Sequence, residues 1–326
     1  MHVRFGYLLF GSVLAVSSVC TVVACTAALP KNAPLALRDS GGDDGTQTDP
    51  NTGDTQLGEA DKPLSDGGKP PGKIYVHTGA TLFLFDPLAA GGAGTLTEIG
   101  AFDCLAAEND TMIDIAVDRS NNIYGTSFNG FLKISATDAK CTYILKAGSY
   151  PNSLAFMPIG TVDMTQEALV GYGFDAVNQA TQFERIDTTT GKVTVIGNIN
   201  PPDVSGQGTQ YEASGDIIGL SRNGNSAYVT VKQLPPDGGV ATILTDSLAE
   251  VNPATGAIKS VKRETGEIDL YGLGQWAGQA YGFSGDTGDI VKIDLARGTS
   301  EIVAVDAGSP VLWYGAGVTT LAPTKP

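Results

Sequence analysis

Histidine is almost missing from this chain. There are two among 326 residues, and His77 is the only one beyond position 2. Cysteine is nearly as scarce, with four. A zinc site of imidazoles and thiolates needs three or four such ligands together, so that chemistry has too few donors. His77 has no Ser-His-Asp spacing around it either and reads as a structural or surface residue. Sustained helical periodicity is absent, as is a glycine-rich phosphate loop between a strand and a helix, which removes support for a nucleotide site. Positive charge is in the minority: 20 Lys and Arg against 35 Asp and Glu give a formal net charge of −15. Nucleic-acid binding depends on cations meeting phosphate, so no nucleic-acid partner is expected, and an anionic lipid face is disfavoured equally.

What the chain does have is a repeat. Phe183–Asp187 alternates apolar and polar residues and runs into Thr188-Thr189-Thr190-Gly191, followed by Val193 and Val195. This is a strand, a turn and a return strand. Four other segments match it: Leu82–Asp86, Leu132–Ser135, Leu248–Asn252 and Ile290–Asp294. The turn position holds Asp86, Ser135, Asp187, Asn252 and Asp294, all short side chains able to bond their own backbone. Four residues on stand Gly191, Gly256 and Gly298, with Ala90 and Ala139 in the other two copies. Successive turn positions are 49, 52, 65 and 42 residues apart. That period suits a four-stranded propeller blade better than a solenoid repeat.

Each copy has an upstream strand, represented by Tyr75, Tyr124, Leu169, Tyr228 and Tyr281. Before it lies another strand with a small residue: Ala116, Ala155, Gly219, Gly272 and Gly315. A small-residue column fits innermost strands crowding an axis. The first copy lacks an inner strand, and the last inner strand, Leu312–Thr320, lacks a copy after it. Joining the two closes a ring and removes exposed edges. The expectation is an all-β, five-bladed β-propeller over 73–322, closed by the C-terminal strand. A two-sheet sandwich is the alternative.

Residues 1–24 read as a signal peptide, with Arg4 before an apolar run from Phe5 to Ala24. The run ends Val22-Val23-Ala24-Cys25, which resembles the lipobox of bacterial lipoproteins. That resemblance implies lipidation of Cys25 and attachment to a membrane through the lipid anchor, and more than one chain is what stable anchoring takes. Residues 25–72, rich in Gly, Asp, Thr, Ser and Pro, carry hardly any large apolar residue after Leu37, and so are expected to form the lipidated cysteine and a disordered linker.

Two cysteines fall in the globular part of an exported chain, so Cys104 and Cys141 are expected to form a disulfide. The remaining candidates for chemistry are oxygen ligands near the start of the inner strands: Asp114, Asp216 and Asp269, with Asn152 in the matching part of the third unit. Such groups can bind calcium, or two of the acids can act as the acid and base of a glycoside hydrolase. They can also cap turns and hold channel water. Trp276, Trp313 and Tyr314 can stack on sugars or pack in the core. Two long excursions, Asn200–Ser214 and Gln233–Asp246, can form a ligand or partner surface.

The Ile-Asp strand ends, Thr-Gly turns and apolar-Tyr strands resemble extracytoplasmic bacterial propellers with degenerate blade repeats. With the lipobox, the chain is similar to a propeller lipoprotein. The resemblance implies a cell-envelope location, with Thr26 after Cys25 favouring the outer membrane. Such propellers include binding proteins, assembly factors, lactonases and glycosidases, so the resemblance assigns no activity. The expectation is a non-catalytic ligand- or protein-binding module with an envelope protein or a saccharide as partner, with a hydrolase or an assembly component as alternatives. With two Trp residues, the chain lacks the tryptophan motifs of quinone-binding propellers. It also lacks the Gly-His and Trp-Asp pairs of WD repeats.

Overall fold

The computed structural model describes residues 73–146, 148–177, 180–201, 209–221, 225–235, 245–304 and 312–323. The expected signal peptide, Cys25 and the linker lie outside these residues, as do 202–208 and 236–244 of the two long excursions.

Twenty strands form five antiparallel four-stranded sheets. Blade one holds β1 (Ile74–His77), β2 (Thr81–Asp86) and β3 (Thr95–Ala101). A four-residue helix, α1 (Asp103–Ala106), leads to blade two: β4 (Met112–Val117), β5 (Ile123–Ser127), β6 (Gly130–Ile134) and β7 (Cys141–Leu145). Blade three is β8 (Leu154–Met157), β9 (Ala168–Asp175), β10 (Ala180–Ile186) and β11 (Val193–Asn198). Blade four is β12 (Tyr211–Leu220), β13 (Ser226–Gln233), β14 (Thr245–Val251) and β15 (Ile258–Ile268). Blade five is β16 (Leu270–Trp276), β17 (Gln279–Ser284), β18 (Ile290–Ile293) and β19 (Ser300–Ala304). The last strand, β20 (Gly315–Gly317), pairs with β1 through Tyr75↔Gly317 and His77↔Gly315, and so completes blade one. The chain is a five-bladed β-propeller whose C-terminal strand closes the ring.

The repeated turn works as its residues dictate. Asp187 Oδ1 accepts the N–H groups of Thr189 (2.9 Å) and Thr190 (2.8 Å), and Asp294 Oδ1 those of Ala296 (2.8 Å) and Arg297 (3.0 Å). Asp86, Ser135 and Asn252 make the same bond two residues on. The position four residues later has positive φ in all five copies: Gly191 (73°), Gly256 (68°), Gly298 (82°), and also Ala90 (51°) and Ala139 (58°). The two alanines depart from the glycine pattern without departing from its geometry, and each accepts the strain of a left-handed backbone.

Blades pack through aromatic and aliphatic clusters. Between blades one and five, Phe85 meets Phe283 edge-on at 5.5 Å and Phe83 meets Trp313 at 5.6 Å. Between blades three and four, the buried Tyr172 hydroxyl donates to Gly256 O at 2.6 Å. The Cys104–Cys141 disulfide ties α1 to the outer strand of blade two, with Cα atoms 5.4 Å apart.

Two expectations need correction. The excursion Asn200–Ser214 is not all loop, because β12 begins at Tyr211, pairs with Gln233, and shifts register between Ala213 and Ile217. The small residues also do not form one row. Opposite Tyr75, Tyr124, Leu169, Tyr228 and Tyr281 stand Gly317, Ala116, Phe156, Ile218 and Gly274. Smallness is needed at different heights. A methyl on Gly219 would come 2.6 Å from Phe156 O, while one on Gly272 would meet the Gly315 backbone at 3.0 Å.

Candidate functional site

One level of the ring is set two residues before that row in each inner strand: Asp114, Leu154, Asp216, Gly272 and Gly315. Two carboxylates occupy it where two glycines leave room. Asp114 Oδ1 accepts Ile115 N–H at 2.8 Å, and its Oδ2 accepts Leu154 N–H of blade three at 2.5 Å. Asp216 Oδ1 accepts Ile217 N–H at 2.6 Å, and its Oδ2 accepts Leu273 N–H of blade five at 3.0 Å. Each acid therefore caps its own strand and a neighbouring one. Both side chains are fully buried, and they lie close enough to influence each other's ionisation. Burial raises both pKa values well above the ordinary carboxylate range.

His77, at the end of β1, lies against this pair. Its Nδ1 is 2.8 Å from Thr78 O, which makes Nδ1 the protonated nitrogen. Its Nε2 is 3.9 Å from Asp114 Oδ1 and has no hydrogen-bond partner. Burial lowers the pKa of the ring to about 4, so it is neutral at pH 7. Gly315 permits the approach, since a methyl there would overlap Asp114 Oδ1 and come 2.7 Å from His77 Nε2. Below the pair, the axis narrows between Ala116, Ala155, Gly219, Leu273 and Ala316.

The structure thus brings together Asp114 and Asp216 and leaves the other two candidates apart. Asn152 is exposed in the connector before β8, its N–H donating to Tyr172 O at 3.1 Å. Asp269 stands between β15 and β16 in a left-handed conformation, φ 53°. Its carboxylate accepts from Lys232 Nζ at 2.7 Å. Trp276 and Trp313 are buried, with Trp313 Nε1 donating to Gly288 O at 2.9 Å, so both serve packing, whereas Tyr314 is 41% exposed. Among the described residues, the one cluster of three potential metal-ligating side chains is Asp103, Cys104 and Cys141, and its sulfurs are bonded to each other.

Around Asp269 lies a second polar cluster. Lys232 Nζ is also 3.8 Å from Oδ1 of Asp246, a fully buried acid at the start of β14. Asp246 Oδ2 accepts Leu270 N–H at 2.7 Å, while Oδ1 has no hydrogen-bond partner; nor does the buried Ser214 Oγ. Burial raises the Asp246 pKa. Burial opposes the charge on Lys232, but the two carboxylates outweigh it and hold its pKa up. Tyr271, 38% exposed, is pushed up to about 12 by burial and by the neighbouring Asp269. Asp246 was missed by sequence reasoning. The available signal was an acid sharing strand parity with the apolar Leu248.

The cluster opens on one face of the ring. The hairpins between the second and third strands of each blade lie there, as do the connections between blades. Tyr314 N–H donates to His77 O at 2.9 Å, Met112 N–H to Gly79 O at 3.0 Å and Gly285 N–H to Asp269 O at 2.7 Å. Phe128 (71% exposed) and Phe174 (60%) are on this face too.

No known protein-family profile matches the sequence, and no curated protein does. Solved structures give distant likenesses. A crystal structure of a nidogen/laminin complex aligns with a TM-score of 0.44 at 11% identity, over 78% of this chain and 98% of that one. A protein of unknown function from Bacteroides caccae aligns at 0.39 and 10%, over 76% and 98%. A structure described under the de novo evolutionary emergence of a symmetrical protein aligns at 0.44 and 12%, over 78% and 100%. The chain's own five sheets and their closure make it a β-propeller, and nothing further is taken from these likenesses.

Proposed function

We propose that this chain is a lipid-anchored cell-envelope propeller that acts as a non-catalytic binding module. In this reading Cys25 carries the lipid, residues 25–72 are the tether, and the outer membrane is the site of attachment. The observation that supports binding over catalysis is the contrast between the two polar clusters. Asp114 and Asp216 are buried and each is bonded to backbone N–H groups at both oxygens, so they do not present an acid and a base to an incoming molecule. The Lys232, Asp246 and Asp269 cluster keeps open hydrogen-bonding capacity beside half-exposed tyrosines. That combination is typical of a recognition site, where few polar groups fix orientation and aromatic surface gives contact.

Exposed Phe128, Phe174 and Val177 on the same face favour a second reading, an envelope protein as the partner. One experiment in cells addresses both anchor and binding. Metabolic labelling with a fatty-acid probe should mark the wild-type chain and not Cys25→Ser. Photo-crosslinkers placed at Phe128, Phe174 and Tyr314 should give adducts that a probe at Met164, on the opposite face, does not. Equal labelling of both chains rejects the anchor. Indistinguishable crosslinking from the two faces rejects the binding face.

A further inference from the structure

We propose that the recess between blades four and five takes a neutral polyhydroxylated ligand, a saccharide, with Lys232, Asp246 and Asp269 as its polar contacts and Tyr271 and Tyr314 as its stacking surface. The proposal rests on the binding-module reading above and gives it a ligand class.

Charge selects the class first. Three carboxylates, those of Asp246, Asp269 and Glu212, act on the one ammonium of Lys232, so the recess is net negative and repels phosphates and carboxylates. Lys232 Nζ already lies 2.7 Å from Asp269 Oδ1 and 3.8 Å from Asp246 Oδ1, where a divalent cation would have to displace a like charge. A hydroxyl suffers from neither objection, because it donates and accepts at one atom. It can donate to Asp246 Oδ1 and accept from Lys232 or Ser214.

The unmet hydrogen bonds point the same way. Asp246 is fully buried, and one of its oxygens is bonded while the other is not. Ser214 Oγ makes no well-formed hydrogen bond either, and it stands beside Asp246, whose pKa it helps to lower. A ligand hydroxyl that reached Asp246 Oδ1 on displacing the side chains covering it would satisfy an acceptor that lacks a hydrogen bond in this structure.

The tyrosines supply the rest. The Tyr271 ring lies against Gly285, where a methyl would overlap ring carbons, and it leaves 38% of the residue exposed. Tyr314 lies near enough to influence the Tyr271 hydroxyl. Apolar C–H faces of sugar rings pack on such surfaces while their hydroxyls reach the rim. Asp269 is fixed for this role by its backbone. Its left-handed conformation is secured by Tyr271 N–H and Gly285 N–H, which donate to its carbonyl at 2.8 and 2.7 Å.

The test is saturation-transfer NMR on the full-length chain in detergent, with neutral tetrasaccharides of glucose, N-acetylglucosamine, mannose and galactose as probes. The expected result is transfer to the ring protons of at least one probe. Tyr271→Ala and Asp269→Asn, each checked for native near-UV circular dichroism, should weaken it at least tenfold, and Met164→Ala should not change it. Absence of transfer from the wild-type chain to every probe overturns the saccharide inference, as does transfer that survives both substitutions. Binding of inorganic phosphate or calcium that those same substitutions abolish also overturns it, in favour of a charged ligand. If saccharides fail while the crosslinks at Phe128 and Phe174 persist, the inference falls and the binding-module reading stands. If both fail, both fall.

Discussion

The ring centre and the mouth between blades four and five each hold two aspartates, yet they do opposite things with them. At the centre, Asp114 and Asp216 accept four backbone N–H groups from inner strands. At the mouth, Asp246 and Asp269 share one lysine, and Asp246 has an oxygen free of hydrogen bonds. The side chains are chemically identical. The number of backbone donors around each decides how much of it is committed: Asp114 and Asp216 bond at both oxygens, whereas Asp246 ties Leu270 with one oxygen and leaves the other without a hydrogen bond. Carboxylates at the start of propeller strands therefore cannot be assigned a role by residue type and position alone.

The comparison is broken most severely by Asp216→Ala. Two buried inner-strand N–H groups lose their acceptor, at about 1–3 kcal/mol each, so urea unfolding should show a loss on the order of 4 kcal/mol. At the mouth, Asp269→Ala should cost about 1 kcal/mol, because Asp269 is itself partly exposed and Lys232 keeps Asp246 beside it. Comparable losses in the two variants would erase the distinction.

His77 gives a second contrast, through pH. Its folded pKa is depressed to about 4 from an ordinary 6.5, so the folded state binds fewer protons in that window. The stability linked to a neutral His77 is present above pH 6.5 and is lost as pH falls through about 4. Its size is on the order of 3 kcal/mol. The buried acids act in the other direction: their raised values mean that stability declines as pH rises above the unfolded carboxylate range. Substituting His77→Gln should flatten the acid limb between pH 6.5 and 4 and leave the alkaline side unchanged. An unchanged acid limb would show that His77 is not shielded as described.

Glycine substitutions sharpen the comparison further. Gly315→Ala drives a methyl into Asp114 and His77, which have nowhere to move, and should cost about 3 kcal/mol by thermal unfolding. Gly285→Ala meets the Tyr271 ring, which can swing outward, and should cost about 1 kcal/mol while weakening any ligand bound on that ring. Smallest of all, Met164→Ala on the opposite face should stay within about 0.5 kcal/mol and leave binding intact.

The blades were legible in the sequence because their marker is local. A short polar residue that bonds its own turn, followed by a left-handed position, needs no knowledge of the rest of the chain. Asp187 and Gly191 show it plainly, whereas Ala90 and Ala139 break the glycine pattern, and their left-handed backbone was not legible from residue type. Closure by β20 was legible from two incomplete units that complement each other. Register was not, because Gly219, Gly272 and Gly315 are small for the sake of different neighbours. The pairing of Asp114 with Asp216 could not be read either, since it joins strands of separate blades across the axis. Asp246 escaped notice because its importance depends on Lys232 and Leu270, distant in sequence and adjacent only once blades four and five are packed.

Closure by β20 also fixes an orientation. Lys73 enters β1 at the end marked by the pairing of Tyr75 with Gly317, and His77, at the other end, opens toward Tyr314 and the recess. The 72 residues before Lys73 therefore join the ring on the side away from Tyr271.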